Sequence, residues 1–410
     1  TLASPWGKAD ALHVRRTPPL IPPGSRYRYS NLGYQIVGHV LERATGTPIH
    51  ELLLERILGP LGMTRSTGAI TDEDRLDASV GYEPVVADRV PHGESPLGPA
   101  IWQPSNTADG SIISTAPDLC AYARMILAQG RGLLAPEAFA RWTAAYVESD
   151  EPDSPYGYGW GVTRRDGRRV LWHTGGTVGF TAILEIRPDD GLAVAICQNG
   201  GGEKGALAAF ALAAVEAALR GTEPPPPPEP LRPAADAAGT YAGPDRTFRI
   251  EETAAGAVVH AGPLAVPLQP LGTDPDELVG AHPALDRYPV RVLREDGRVV
   301  GLAHGPARYT AAGGEAMPAA EDPPAWAGLT GLYRSDSPWT RALRVYPREG
   351  RLYLLEIANG EESELIASEG DRFAVGDAGL PDRVRFLDPI GGAAQTLDYD
   401  GASFTRSFET

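Results

Sequence analysis

The sequence predicts an α+β domain followed by two small all-β domains. A run of five prolines within residues 223–230 divides the 410-residue chain, because such a run forms an extended spacer. Helical and hairpin patterns lie before this spacer, and only short alternating strands lie after it. A chain of this length accommodates two to four domains. The predicted limits are a first domain at 1–222, a linker at 223–233, a β domain at 234–312, a linker at 313–325 and a second β domain at 326–410.

The composition supports folded cores and argues against two classes of partner. Hydrophobic residues make up 42% of the chain, and the net charge of -16 makes nucleic acid or an anionic membrane an improbable partner. No apolar stretch reaches the roughly 18 residues of a membrane span. Cys120 and Cys197 lie in apolar runs, which predicts buried free thiols, and no pattern indicates a metal or other cofactor. The composition leaves the compartment and the oligomeric state open.

The first domain begins with a helix that has clear signals at both ends. Ser30 or Asn31 can cap a helix that runs to about Ala44, and Gly46 is a suitable residue to end it. The apolar residues between these limits recur near helical spacing. We therefore expect a helix immediately after residue 30.

Two further helices carry capping signals of their own. Thr47 precedes Pro48, which predicts a second helix with a threonine cap and a proline at its first position. Thr115 precedes a third helix that extends to about Ala128.

Short strands follow these helices, and a last helix closes the domain. Asp166-Gly167 and Asp190-Gly191 are tight hairpin signals between apolar runs. An alanine-rich helix is predicted at about residues 205–219. Helices, an antiparallel set of hairpins and a closing helix together favour an antiparallel sheet covered by helices. The predicted strands are residues 158–162, 170–173, 180–186 and 192–199.

The region after the proline run contains an internal repeat. Residues 238–243 resemble residues 330–335, and each copy opens a series of short alternating segments. Residues 295–298 and 348–351 form matching hairpin turns in the two copies. Each copy therefore predicts a small closed barrel or sandwich. No catalytic cluster is evident in either copy, and the dispersed histidines are expected at surface or turn positions. They are His260, His282 and His304.

Two short motifs in the first domain carry chemistry. Tyr29-Ser30-Asn31 stands directly before the first helix, and residues 173–177, His-Thr-Gly-Gly-Thr, stand at the end of a predicted strand. Each motif alone is weak evidence for a function, because a tyrosine before a helix is usually a packing residue and His-Thr-Gly is usually a turn. The order of the two motifs along the chain, with the stretch from Asp109 to Asp118 between them, is a far more specific signal.

These motifs resemble those of the serine β-lactamase and penicillin-binding-protein-like family, in its class C, esterase and D-aminopeptidase branch. The likeness covers about residues 10–220 and includes Leu61-Gly62-Met63-Thr64. It implies a β-lactamase/transpeptidase-like fold, an antiparallel sheet with helices. The family motif Tyr-x-Asn falls on Tyr29 and Asn31, and the Lys/His/Trp-x-Gly motif falls on His173 and Gly175.

The resemblance implies a role for each of these side chains. Acyl transfer by a serine needs a base for the hydroxyl and an acid for the leaving group. Tyr29 is expected to serve there, with its phenol poised by positive surroundings and the helix N-terminus. Asn31 would hold an amide substrate or a catalytic lysine. His173 would place a hydrogen-bond donor beside Tyr29.

The glycines and threonines of the second motif are expected to contact the substrate. The backbone N–H of Gly176 would be one oxyanion donor, since the absence of a side chain lets the substrate approach. Thr174, Gly175 and Thr177 are the expected substrate-binding residues, with Thr174 positional rather than chemical.

The chain departs from the family at its nucleophile. The family places serine and lysine in Ser-x-x-Lys, one helical turn apart. The only lysines are Lys8 and Lys204, and Pro5 and Gly201 stand three residues before them. No Ser-x-x-Lys exists in these 410 residues. We therefore expect an N-terminally truncated member whose nucleophile segment and first sheet strands lie upstream, and which is inactive alone.

A histidine at position 173 shifts the expected substrate. A neutral or partly charged imidazole holds a penicillin carboxylate less firmly than lysine, which favours esters, small amides or peptides with a free N-terminus. Relatives with this histidine and two trailing barrels include D-aminopeptidase-like enzymes, in which barrel loops can reach the active site. The expected function is an amide, peptide or ester hydrolase that acts through an acyl-enzyme. Two alternatives stay open: a non-catalytic member that uses the cleft for binding or assembly, and an unrelated protein with coincidental motifs.

Overall fold

The computed structural model describes residues 22, 24–25, 27–149, 153–165, 167–254, 256–313, 321–380 and 382–408. The chain forms two compact units. The first consists of Thr1–Glu83 and Pro99–Pro228, and the second consists of Pro84–Gly98 and Glu229–Thr410. The limits of the individual predicted domains stay a prediction.

Helix α1 spans Asn31–Thr45, and its two ends are as predicted. The Ser30 hydroxyl accepts a hydrogen bond from the Gly33 N–H at 3.0 Å, which satisfies one N–H of the first turn. Gly46 ends the helix with φ of 76°, a left-handed conformation that favours glycine.

Helix α2 spans Ile49–Leu53 and continues as a π-helical turn over Leu54–Leu58. The predicted threonine cap is wrong, because Pro48 occupies the N-cap position and provides no side-chain hydrogen bond. Instead, the Glu42 carboxylate from α1 accepts the Ile49 N–H at 3.0 Å. The N-terminal cap of α2 therefore comes from a side chain of α1, seven residues earlier in the chain, which the Thr47-Pro48 pattern does not predict.

The remaining helices of the first unit surround its sheet. Helix α3 spans Ala116–Leu127, and Thr115 caps it as predicted, accepting from the Asp118 N–H. Helix α4 spans Pro136–Trp142, which the sequence patterns did not predict, and α5 spans Lys204–Arg220. A single 3-10 turn covers Asp74–Leu76.

Two short strands, β1 (Tyr82–Pro84) and β2 (Leu97–Pro99), form a separate two-stranded sheet. The first unit contains a four-stranded antiparallel sheet whose strands lie in sequential order: β3 (Gly161–Arg165), β4 (Arg168–Thr177), β5 (Phe180–Arg187) and β6 (Leu192–Gln198).

The sheet differs from the prediction at its start. Strand β3 begins three residues later than predicted, because the chain bends at residues 158–159, where Gly159 has φ of 83°. Of the predicted hairpin turns, Gly191 lies between β5 and β6, and Asp166 lies outside the described residues.

One face of this sheet packs against α3. Ala123 and Ile126 of α3 share a buried cluster with Leu171 and Ile186 of the sheet. Side chains alternate along a strand, so Trp172 and Thr174 face the side of the sheet away from α3. The packing of Leu171 against α3 holds in place the strand that carries the second motif.

The second unit contains two closed antiparallel barrels of eight strands each, with strands in sequential order. Closure pairs both edges of every strand, and each barrel encloses its own apolar cluster. The first barrel consists of β7 (Gly239–Ala242), β8 (Thr247–Thr253), β9 (Gly256–Ala261), β10 (Leu264–Leu271), β11 (Asp274–Gly280), β12 (Val290–Glu295), β13 (Arg298–His304) and β14 (Ala307–Ala311). The second consists of β15 (Gly331–Arg334), β16 (Ala342–Arg348), β17 (Arg351–Glu356), β18 (Glu361–Ala367), β19 (Arg372–Val375), β20 (Arg383–Ile390), β21 (Ala393–Tyr399) and β22 (Ala402–Ser407).

The repeat seen in the sequence is a structural repeat. In the first strand of each barrel, a buried tyrosine donates its hydroxyl to the carbonyl four residues upstream, Tyr241 to Ala237 and Tyr333 to Leu329, both at 2.7 Å. A short 3-10 turn precedes each strand, at Ala235–Ala237 and Pro324–Gly328. The same hydrogen bond from a buried tyrosine to the carbonyl four residues upstream thus occurs at the start of both copies.

The matching hairpin turns are also confirmed. Asp296 and Gly297 have φ of 49° and 77°, and Glu349 and Gly350 have φ of 52° and 73°. Two consecutive positive φ values define the tight turn whose twist matches antiparallel strands. The backbone conformation therefore favours glycine at the second position of each turn.

Three expectations about single residues are wrong in part. His304 was expected at a surface or turn position, but it is buried. Its Nε2 atom lies 3.0 Å from the Leu285 carbonyl, and its ring packs against Phe248. The two cysteines are free thiols as expected, but Cys120 is only partly buried and Cys197 is exposed. Cys197 lies on β6, the last strand of the sheet, where the described residues place no further strand beyond it.

A segment inside the predicted first domain belongs to the second unit. Residues Pro84–Gly98 leave the sheet and contact the barrels. Val90 is fully buried, and its N–H donates to the Asp286 carbonyl at 2.7 Å. Arg89 pairs with Asp286 at 2.9 Å in the first barrel, and Asp88 pairs with Arg334 at 2.8 Å in the second. This segment therefore links both barrels.

Candidate active site

Tyr29 stands two residues before α1 with its side chain half exposed. Burial raises the pKa of its phenol, and the negative charge of Asp109 raises it further. Among the described residues, Asp109 is the charge that acts on the phenol, so the positive surroundings expected for Tyr29 stay a prediction. Tyr29 is therefore protonated at neutral pH in this arrangement.

His173 lies beside Tyr29, with ring centroids 6.3 Å apart. Its Nδ1 is 2.6 Å from the Thr174 carbonyl, and its Nε2 is 2.9 Å from the Tyr156 hydroxyl. Since a carbonyl only accepts, Nδ1 carries the proton and Nε2 of the neutral ring accepts from Tyr156. Burial lowers the pKa of His173 and the bond to Thr174 offsets this in part, which favours the neutral ring. The donor expected to point at Tyr29 is thus engaged by the Thr174 carbonyl.

Tyr156 is a site residue that the sequence patterns missed. Its ring also lies 5.0 Å from the ring of Tyr27. Burial raises the pKa of its phenol, and the neighbouring tyrosines 34, 27 and 29 raise it further. The available signal was the alternation of aromatic residues and glycines in Tyr156-Gly157-Tyr158-Gly159-Trp160.

The second motif occupies an open strand edge. β3 pairs with β4 only from Arg168 to Trp172, so the last five residues of β4 extend beyond it. Thr177 pairs with Phe180 next to the two-residue hairpin loop, so these two residues hydrogen-bond to each other. Hydrogen-bonded and non-hydrogen-bonded pairs alternate along antiparallel strands, so Gly176 and Thr174 belong to the non-hydrogen-bonded pairs. The N–H groups of Thr174 and Gly176 therefore point to the edge that has no partner strand among the described residues.

The space beside this edge is open. Thr174, Gly175 and Gly176 are exposed, and a Cβ built on Gly176 meets no atom within 4 Å. Thr177 is partly buried. A ligand can approach the backbone here without displacing a side chain.

The turn that follows is held rigidly. Gly179 has φ of 78°, and a Cβ there would collide with Ala100 and with the backbone of Gly81. The Gly179 N–H donates to Glu83 at 3.1 Å. Only glycine fits this position, and the turn fixes the end of β4.

Asn31 is the first residue of α1 and is exposed. No hydrogen bond of its side chain occurs among the described residues. The structure thus brings Tyr29, His173 and the open edge of β4 into one region, while Asn31 stands at the adjoining helix end. Over the described ranges, no group of three or more metal-ligating side chains occurs, and none of the described helices is long and apolar enough to cross a bilayer.

Comparison with known proteins defines the family. The family described as Beta-lactamase matches residues 6–218, more than half of the chain. The chain therefore belongs to the beta-lactamase family. The fold agrees with this assignment, and the family match ends before the two barrels.

Curated relatives extend the likeness. A D-aminopeptidase of Cereibacter sphaeroides is 30% identical over 351 residues, covering 80% of this chain and 63% of the relative. A D-aminopeptidase of Gluconobacter oxydans is 32% identical over 159 residues, covering 38% and 28%. An unguisins hydrolase of Aspergillus campestris is 28% identical over 183 residues, covering 43% and 34%. The chain spans less than two thirds of the length of each relative.

Among solved structures, the octameric penicillin-binding protein homologue of Pyrococcus abyssi is similar to this chain. The TM-score is 0.46 and the identity 22%, with 70% of this chain and 66% of that chain covered. The match to the Cereibacter enzyme is longer than the family region, so it includes part of the barrels.

Proposed function

We propose that this chain provides one side of the acyl-transfer site of a serine hydrolase that acts on amide or peptide bonds. The observation that carries the proposal is the placement of Tyr29 and His173 beside the open edge of β4. That side holds the proton-carrying phenol, the amide-holding Asn31 and the backbone donors. The acylating serine and its lysine belong to the other side.

The open edge supports a role in oxyanion stabilisation. The N–H of Gly176 points away from β5 into open space, where a substrate carbonyl oxygen can accept from it. Thr174 offers a second N–H on the same edge, and Gly175 and Thr177 flank it. An extended substrate can also pair with this edge as an added strand.

The protonation of Tyr29 determines what this chain can do by itself. A phenol whose pKa is raised by burial and by Asp109 holds its proton and can donate it to a leaving group. To act as a base it needs a cation nearby, and we propose that the lysine of a Ser-x-x-Lys motif would be that cation. No such motif occurs in the 410 residues, so we propose that the chain alone does not acylate.

The charges that the described residues bring to the cleft favour an uncharged or cationic substrate over a β-lactam. Among those residues, no lysine or arginine shifts the pKa of Tyr29, His173 or Tyr156. A penicillin carboxylate therefore meets a neutral imidazole and the carboxylate of Asp109. The D-aminopeptidase relatives support the same choice, and we propose D-aminoacyl amides or peptides as the substrate class.

Binding and labelling experiments on the 410-residue chain test the proposal. We expect D-alaninamide to bind and to shift the His173 ring resonances in an NMR titration, whereas benzylpenicillin binds more weakly. His173→Ala should abolish the binding of D-alaninamide, and His260→Ala, in the first barrel, should not change it. Equal binding by wild type and His173→Ala would refute the site.

The absence of acylation has its own test. Fluorescent penicillin and a fluorophosphonate probe should leave the chain unlabelled, and nitrocefin and p-nitrophenyl acetate should not be hydrolysed by a family mechanism. Covalent labelling of a serine would contradict this expectation. The reading frame upstream of Thr1 provides the complementary observation, because an encoded Ser-x-x-Lys supports the hydrolase.

A second candidate is a non-catalytic family member that binds a peptide-like ligand in the same cleft. The observation that favours it is the combination of a protonated Tyr29 with no Ser-x-x-Lys in the chain. An upstream reading frame without Ser-x-x-Lys would select this candidate. The NMR titration then reports its ligand.

A further inference from the structure

The two cysteines of the chain lie on neighbouring elements of the first unit. Cys120 lies in the second turn of α3, and Cys197 lies near the end of β6. They are the only cysteines in the 410 residues, and both are free thiols. Neither belongs to the candidate active site, so any chemistry between them is separate from the proposed function.

The spacing of residues along α3 places Cys120 on the side that packs against the sheet. Ala123 is buried in the cluster that α3 shares with the sheet, and Leu127 packs against that cluster. Cys120 precedes these two residues by three and seven positions, which is the spacing of one helix face. It is itself partly buried. Its side chain therefore lies at the margin of the packed face of α3.

The alternation of side chains along β6 places Cys197 at the same interface. Ala193 and Ala195 pack against the cluster that contains α3. Side chains two residues apart lie on the same face of a strand, so Cys197 continues the face that α3 covers. Cys197 is exposed, and β6 has no further strand beside it among the described residues. Small solutes can therefore reach its sulfur.

The two thiols lie close to each other across this interface. Burial raises the pKa of the Cys197 thiol, and the neighbouring Cys120 thiol raises it further. The interface is lined by Ala123, Ala193 and Ala195, whose short side chains let helix and strand approach closely. A disulfide needs such an approach, because its two Cα atoms lie about 4.4–6.8 Å apart.

We propose that Cys120 and Cys197 form a reversible disulfide that fastens α3 to the edge strand of the sheet when the chain meets a low-molecular-weight disulfide such as oxidised glutathione. β6 is held to the sheet by its pairing with β5, and its other edge has no partner among the described residues. A covalent bond to α3 would oppose local separation of the helix from this edge. The pair is thus a redox-sensitive clasp at a border of the first unit.

The reaction is a thiol–disulfide exchange in two steps. The thiolate of the exposed Cys197 attacks one sulfur of oxidised glutathione, and one glutathione leaves as its thiolate. The Cys120 thiolate then attacks the Cys197 sulfur and releases the second glutathione. Two protein thiols are oxidised, one glutathione disulfide is reduced, and the two thiol protons pass to the released glutathione molecules. Because the raised pKa of Cys197 keeps its thiolate scarce at neutral pH, the rate should increase with pH.

Mass spectrometry of the oxidised chain tests the bond. The 410-residue chain is incubated with oxidised glutathione at about pH 8, where thiolates are more abundant. We expect the intact mass to fall by two hydrogen atoms, and a digest to contain one peptide pair joined through Cys120 and Cys197. Dithiothreitol should restore both thiols. Glutathione retained on both cysteines, or two chains joined through Cys197, would overturn the proposal.

The denatured chain shows whether the fold brings the thiols together. At one fixed ratio of reduced to oxidised glutathione, the ratio of disulfide to dithiol should be at least about tenfold larger in native buffer than in guanidinium chloride. An equal or smaller ratio in the native chain would mean that the folded structure does not favour the bond, and the proposal would fail.

Hydrogen exchange measures the effect of the bond on α3. Oxidation should slow exchange in peptides from α3 and β6 by about tenfold and leave the peptides of both barrels unchanged. Cys197→Ser is the matched control, because it replaces an exposed thiol and cannot form the bond. Its exchange should not respond to oxidised glutathione. Equal slowing in this variant, or a linked peptide without slowing in wild type, would refute the clasp.

Discussion

The four-stranded sheet and the two barrels differ in how they treat the edges of their strands. Each barrel pairs the edges of all its strands and encloses large aromatic side chains, such as Phe404, which is 2% exposed. The sheet leaves the end of β4 without a partner strand on its β3 side among the described residues. Helix α1 turns apolar side chains outward, with Val37 52% and Val40 61% exposed. Closure gives stability, and the open edge gives backbone donors that a ligand can reach.

The same difference accounts for where the chemistry lies. In a closed barrel of eight strands the backbone is committed to its neighbours and side chains fill the interior. At the end of β4 the N–H groups of Thr174 and Gly176 are not committed to a neighbouring strand. A functional site can therefore form at the sheet edge without disrupting a core, whereas the strands of both closed barrels, as far as the structure describes them, pair on each side.

The largest expected effect tests this contrast in packing. Phe404→Ala should destabilise the second barrel by about 3–5 kcal/mol, because it removes a buried aromatic ring and leaves a cavity. Val40→Ala in α1 should cost less than about 1 kcal/mol, because that side chain is 61% exposed. Hydrogen exchange resolved by peptide measures each unit separately. Similar losses for both variants would contradict the contrast.

The second prediction concerns two glycines at the two ends of the same short segment. Gly179→Ala should destabilise the first unit by about 2–3 kcal/mol, since the new Cβ collides with Ala100 at a positive φ. Gly176→Ala should change stability by less than about 0.5 kcal/mol, because its Cβ enters open space. Chemical denaturation followed by hydrogen exchange compares the two. A large loss for Gly176→Ala would show that the edge is not open.

The third prediction concerns acid sensitivity in the first barrel. Burial lowers the pKa of His304, so the unfolded state binds its proton more readily than the folded state. Stability is therefore lost as the pH falls through the ordinary histidine value near 6.5 and on toward the lowered one. The slope is at most about 1.4 kcal/mol per pH unit.

His304→Gln tests this effect, because glutamine can still donate to the Leu285 carbonyl but does not titrate. The variant should show a flatter dependence of stability on pH between 7 and 5 for the peptides of the first barrel. The control His282→Gln, in the loop before β12, should keep the wild-type profile. An unchanged profile in His304→Gln would refute the assignment.

The smallest expected effect is a change in one pKa at the site. Because the charge of Asp109 raises the pKa of Tyr29, Asp109→Asn should lower it, and the phenol should titrate at a lower pH. The absorbance change on tyrosine ionisation, taken as a difference from the same variant with Tyr29→Phe, isolates this group. A higher titration point in Asp109→Asn would contradict the electrostatic assignment.

Local features of the fold could be predicted from the sequence. The Ser30 cap, the Gly46 ending and the Asp296-Gly297 turn all depend on residues within a few positions of each other, where backbone preference decides. The Thr47 cap failed because Glu42 of the preceding helix competes for the same N–H. The burial of His304 was missed because it depends on Leu285.

The motifs identified the region of the site but not its electrostatics. Tyr29 and His173 were found by their order along the chain, and the fold brings their rings together. The bond from Tyr156 to His173 and the effect of Asp109 on Tyr29 join residues that are far apart in sequence. A local pattern contains no information on either pair.

By itself, the sequence determined the Ser30 cap, the Asp296-Gly297 turn and the absence of Ser-x-x-Lys from these 410 residues, because these depend on neighbouring residues or on a count. It also determined the repeat that begins near Tyr241 and Tyr333. The tertiary structure alone decided the proton on Nδ1 of His173, the raised pKa of Tyr29 and the unpartnered oxygen of Asp109. Protonation and pairing respond to burial and to charges brought in from distant segments, and only the folded chain sets those distances.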